Sequence, residues 1–100
     1  MMDEQDYLLT CVIEELSECI KEISKIKRFG ADDHHPDTPN ISNVVRANRE
    51  FDDLCATMDL LSERTGLKIG WGENCDDTYE KKREKLLKFM EYSRKKGTLQ

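Results

Sequence analysis

Residues 4 to 29 read EQDYLLTCVIEELSECIKEISKIKRF and are followed by Gly30. Leu9, Val12, Leu16, Ile20, Ile23 and Ile26 recur at the three-or-four spacing that lines one face of a helix turning about 100° per residue. No Gly or Pro interrupts the run. Gly30 supplies a C-terminal cap, and Lys25, Lys27 and Arg28 sit at the negative end of the helix dipole. Downstream, residues 31–40 (ADDHHPDTPN) hold both prolines and no periodicity, which predicts a loop. Thr38 before Pro39, or else Asn40, offers a cap for a second helix with Val44, Ala47, Phe51, Leu54, Met58 and Leu61 on one stripe, stopping near Gly66. A connector at 66–75 (GLKIGWGENC) carries three of the five glycines and the only tryptophan, Trp71. Asp77-Thr-Tyr-Glu80 then reads as a capping box opening a third helix, with Tyr79, Leu86, Leu87 and Met90 apolar and Gly97 near its end. No segment reads as a strand, so the expected fold class is all-α.

One hundred residues suit one domain, 1–100, with a single modest core. Hydrophobic and charged residues each make up 37% of the chain, and the mean hydropathy is -0.76, which confines apolar groups to narrow stripes. Three such helices leave apolar surface uncovered on a monomer. We therefore expect a helical bundle completed by oligomerisation, a homodimer at least, with a homotetramer as a dimer of dimers. A net charge of -5 and a pI near 5.0 argue against binding duplex nucleic acid, which needs a clustered positive face. Cys11, Cys19, Cys55 and Cys75 show no CxxC spacing, and Cys11 and Cys19 lie about 12 Å apart along one helix, too far to bridge. With no long apolar run and no signal-like segment, the chain reads as cytoplasmic, without membrane attachment.

Acidic residues carry the chemical signal. On the first helix Glu15, Glu18 and Glu22 fall beside the apolar stripe, in line with Cys11, whereas Glu14 turns to solvent. On the second, Glu50 and Asp53 flank Phe51 and Leu54, while Asp52 and Asp59 point away. Pairs at i, i+3 on two packed helices are what a hard divalent ion with oxygen ligands requires. Without a cation the four groups repel one another. A single ExxE arises by chance on any charged helix; two pairs phased toward one seam are more specific.

Glu14-Glu15-Leu16-Ser17-Glu18 followed by Glu50-Phe51-Asp52-Asp53 resembles the EExxE and ExxD signature of the MazG-like, all-α nucleoside triphosphate pyrophosphohydrolases. Lys25-Ile26-Lys27-Arg28-Phe29-Gly30 is similar to the segment closing the first helix of short, phage-type members, as are Asn40 and the lysine-rich last helix around Lys82 and Lys85. The resemblance covers most of the chain. Residues 19 to 49 put 31 positions between the signatures, somewhat more than the family usually shows.

The resemblance implies hydrolysis of NTPs or dNTPs to the monophosphate and pyrophosphate, in nucleotide-pool housecleaning or dNTP-pool control. It implies Mg²⁺, with Mn²⁺ able to substitute, on Glu15, Glu18, Glu50 and Asp53. Glu18 is the first choice as the carboxylate that takes a proton from the attacking water. Lys82 and Lys85 would hold phosphates as point charges, with Lys25, Arg28 and Asn40 as further substrate contacts. A phage-encoded member would act in the host cytoplasm. The plain reading of Lys25 and Arg28 is a dipole cap, of Asn40 a helix cap, and of Phe29 and Trp71 core or interface. His34 and His35, adjacent in a polar loop and without HxxxH or ExxH, read as ordinary loop residues. The alternative function is a non-catalytic helical oligomerisation module with a merely acidic surface. Base and sugar preference depend on loops and stay open.

Overall fold

The computed structural model describes residues 1–70 and 76–100, apart from the side chains of Asp76 and Asp77. It contains α1 (Glu4–Phe29), α2 (Asn43–Thr65) and α3 (Asp76–Lys96). No strand occurs among the described residues, where a lone bridge pairs His34 with Ser42. No helix there is long and apolar enough to cross a membrane. Trp71, Cys75 and the cap predicted at Asp77 lie outside the described residues. The chain divides into two compact units, Met1–Ile69 and Gly70–Gln100.

In the first unit α1 packs antiparallel on α2. Asp3 caps α1 by accepting from the Asp6 N–H at 2.8 Å, and Gly30, at φ 95°, ends it by donating to the Ile26 carbonyl at 2.8 Å. Gly66 ends α2 in the left-handed region at φ 77°, where a side chain would be strained. Ser42, rather than Thr38 or Asn40, caps α2, its hydroxyl accepting from the Val45 N–H at 3.3 Å. Thr38 is committed elsewhere: its carbonyl accepts from Ile41 at 3.1 Å in a turn, and its hydroxyl accepts from the Arg46 guanidinium. An ion pair between Arg64 and Glu4 closes one end of the helix pair. At the other end the Asn43 side chain donates to the Gly30 carbonyl at 2.9 Å.

Leu8, Val12 and Cys19 of α1 meet Leu54, Met58 and Leu61 of α2, with Leu9, Phe51 and Leu67 packed against them. On α2 this is the predicted stripe, except that Val44 is 37% exposed. On α1 the predicted stripe is corrected. The seam runs along Leu8, Val12, Glu15, Cys19 and Glu22, whereas Leu16 (46%), Ile20 (69%) and Ile23 (49%) join Ile13 on an exposed face. The apolar arc of α1 is wider than one contact face, and α2 packs on its more polar edge.

The second unit is α3 with its flanks. Gly97, at φ 82°, ends the helix, its N–H donating to the Arg94 carbonyl at 3.1 Å. Tyr79, Leu86, Leu87 and Met90 of α3 are all exposed.

Candidate metal centre

The α1–α2 seam brings together one carboxylate from α1 and two from α2. Glu15, Glu50 and Asp53 each offer an oxygen, and the three atoms all lie within 4.8 Å of one another. Glu15 and Glu50 are half-buried and Asp53 is exposed, so the group has a covered side and a side open to solvent. Burial, together with the charges of Asp53, Glu15, Glu18 and Glu22, pushes the Glu50 carboxyl above its ordinary value. The neighbouring Cys19 thiol is pushed up likewise, by burial first and then by Glu50, Glu15 and Asp53.

The donor set fits a hard divalent ion. Octahedral ligands about 2.1 Å from Mg²⁺ stand roughly 3 to 4 Å apart, so three oxygens within 4.8 Å need only small side-chain adjustments to share one. All the donors are carboxylates, the ligand type such an ion prefers, and each is on a regular helix.

Glu18 is not in the three-oxygen group. Its side chain is 48% exposed and lies 4.0 Å from Lys21 Nζ. Three residues turn a helix about 60° short of a full turn, which carries Glu18 outward from Glu15, away from the contact with α2. Its charge still reaches Glu50. Glu22 does the reverse: it is 5% exposed, accepts from Lys25 Nζ at 3.2 Å through Oε1, and leaves Oε2 buried without a hydrogen-bond partner.

The predicted substrate contacts belong to both units. Lys25 is held by Glu22, and the Arg28 guanidinium lies 4.9 Å from the Phe29 ring centroid. Asn40 is exposed in the turn ahead of Ser42; Asn43 is the asparagine directed inward, at 5% exposure. Lys82 and Lys85 are exposed on α3, with Lys85 Nζ 5.9 Å from the Phe89 ring centroid. A cavity of about 540 Å³ opens beside Lys25 and is lined by Phe29, Asp33, His34, His35, Pro36, Asn43 and Arg46. His34 and His35 thus border a cavity.

Asn43 and Arg46 escape the sequence reading, which places Glu22 beside the apolar stripe but gives it no role. A charged residue is assigned to the surface by default, and an asparagine or arginine in a first helical turn passes for a cap or a solvated group. The signal for Glu22 is its i, i+7 relation to Glu15 combined with Lys25 three residues on.

Compared with models of known protein families, with characterised proteins and with solved structures, the chain matches none of them.

Proposed function

We propose that the protein is a Mg²⁺-dependent nucleoside triphosphate pyrophosphohydrolase of the MazG-like kind. The observation that supports this most is the convergence of Glu15, Glu50 and Asp53 oxygens from two helices within 4.8 Å. Like charges gathered at a half-buried seam destabilise a fold, and a cation that binds only the native state offsets that cost.

Glu15, Glu50 and Asp53 would hold the ion. When bound, Mg²⁺ supplies positive charge to phosphate oxygens and lowers the barrier to attack by water. Glu18, outside the three-oxygen group and open to solvent, takes the proton of the attacking water. Lys25 and Arg46 line the cavity together with Asp33, and its Phe29 ring and Asn43 amide offer a nucleoside a stacking surface and a hydrogen-bonding group. At about 540 Å³ the cavity is within the size range of small-ligand sites.

The exposed row Ile13, Leu16, Ile20 and Ile23 supports the second part of the proposal, that α1 pairs with another copy to form a homodimer, or a tetramer built from dimers. The same row favours the alternative of a non-catalytic oligomerisation module. The two separate on one assay: pyrophosphate release from a panel of NTPs and dNTPs with Mg²⁺, on wild type, Glu50→Gln and Glu18→Gln. The enzyme reading expects turnover that falls at least ~100-fold in both variants. Turnover unchanged in the variants would contradict the site, and no turnover on any nucleotide, with no Mg²⁺-dependent rise in melting temperature, would favour the module.

A further inference from the structure

We propose that Glu22, Lys25, Arg46 and Thr38 form an ion-pair exchange: a phosphate group entering the cavity takes Lys25, Arg46 replaces Lys25 on Glu22, and the loop tip that Arg46 holds at Thr38 is let go. This rests on reading the cavity as the place where a nucleotide lies. Glu22 is 5% exposed; Lys25 Nζ donates to its Oε1 at 3.2 Å, while Oε2 is shut off from solvent without a hydrogen bond. On α2, Arg46 Nη2 donates to the Thr38 hydroxyl, and its Nε–H is shut off in the same way. One buried acceptor and one buried donor are thus idle, on groups of opposite charge.

The antiparallel register sets these two groups opposite each other. Glu22 is eighteen residues beyond Glu4, five full turns, and Arg46 is eighteen before Arg64. Glu4 and Arg64 form an ion pair at one end of the seam. Eleven residues in from that pair on each helix, close to three turns, stand Glu15 and Asp53, whose oxygens lie within 4.8 Å. Past Glu22 and Arg46 the helices are still joined, by the Asn43 side chain on the Gly30 carbonyl at 2.9 Å. A glutamate and an arginine therefore meet at the phase of Glu4 and Arg64, yet each has taken another partner.

Those partners are the ones a ligand disturbs. Lys25 and Arg46 both line the cavity, and the Lys25 side chain is 29% exposed, so a phosphate there competes for the ammonium. Glu22 has no water to turn to, and losing Lys25 would leave it a bare buried carboxylate, a costly state. Arg46 relieves it, because its idle Nε–H lies at the level of the idle Oε2 and its fork can give a carboxylate two parallel N–H groups. Turning the fork to Glu22 takes Nη2 from the Thr38 hydroxyl. Thr38 is in the tip of the loop between α1 and α2. The base of that loop is fastened by the Asn43 and Val44 N–H groups, which donate to the Asp33 and Ala31 carbonyls at 2.8 and 3.0 Å. The tip also carries His35 and Pro36, which line the cavity, so the exchange loosens one wall as phosphate arrives and leaves the base in place.

Nuclear magnetic resonance of the full chain in EDTA reads both ends of the exchange, through the Arg46 Nε–H signal and through amide hydrogen exchange at Thr38 and Ile41. In Lys25→Met, without ligand, the Nε–H signal should move downfield as Arg46 reaches Glu22, and the two amides should exchange at least about threefold faster. Wild type with inorganic triphosphate should show the same two changes, and Lys25→Met combined with Glu22→Gln should show neither. Thr38→Val, which frees Arg46 beforehand, should bind triphosphate at least about threefold more tightly than wild type, a gain that Glu22→Gln abolishes. Lys25→Met without these changes, the same changes with Glu22→Gln present, or triphosphate that leaves wild type unaltered would each overturn the exchange. Pyrophosphate release judges the enzyme reading separately: turnover without the exchange sinks only the exchange, and the exchange without turnover on any nucleotide sinks only the enzyme reading.

Discussion

Toward one end of the α1–α2 seam, Leu8, Val12, Leu54, Met58 and Leu61 close on one another; further along, the same helices face each other through Glu15, Cys19, Glu22 and Glu50. The first region is what holds the helices together, since apolar area leaves water there and nothing needs neutralising. The second works against them. Cys19 is its small apolar group, set among carboxylates, and burial followed by their repulsion raises Glu50. More aliphatic residues were at hand on the same helix, at Leu16, Ile20 and Ile23, yet they face outward. An isolated helix pair shaped for stability alone would turn α1 the other way, which is in keeping with the proposed cation at the acidic region and the proposed pairing of the outward face with another copy.

The largest effect is expected from Leu61→Ala. Leu61 is completely buried, and truncation should cost about 2–5 kcal/mol by denaturant unfolding. A loss below about 1 kcal/mol would show that the apolar region is not the one holding the pair. Next comes the outward face of α1. Ile20→Glu places a charge on a side chain that is 69% exposed in the chain, and light scattering should show the assembly reduced to single chains. An unchanged mass would remove that face from the proposed interface.

The smallest effect has the opposite sign. Because the native state holds Glu50's proton more tightly than the unfolded chain does, this group's contribution to stability falls as pH rises from the ordinary carboxylate value through the raised one. Glu50→Gln in EDTA should therefore raise the melting temperature at pH 7, and the gain should shrink as the pH falls to the ordinary carboxylate value. A drop at pH 7 would mean that the acidic region stabilises the apo fold, erasing the contrast.

Much of this was legible beforehand. The α2 stripe could be read because its opposite face is polar, which leaves one choice for the contact. The stripe of α1 could not, since Ile13, Leu16, Ile20 and Ile23 are greasier than the Cys19 and Glu22 that turn inward; which edge of a wide apolar arc meets a partner is a tertiary matter. Glu15, Glu50 and Asp53 were readable as flank residues because either rotation of α1 keeps them near the seam. Glu18 and Glu22 read as flank residues too, but which of them turns outward and which inward depends on that rotation, which the sequence does not set. The helix ends at Gly30 and Gly66 followed from local chemistry. The start of α2 did not, because the hydroxyl of Thr38 is taken by Arg46, four residues beyond the Ser42 that caps the helix.

The most direct test of the acidic region is paramagnetic broadening of backbone amide signals at substoichiometric Mn²⁺. The account expects the signals around Glu15, Glu50 and Asp53 to disappear first, together and before any others. Broadening that begins at Asp32, Asp33 and Asp37 or along α3, with the seam untouched, would contradict it.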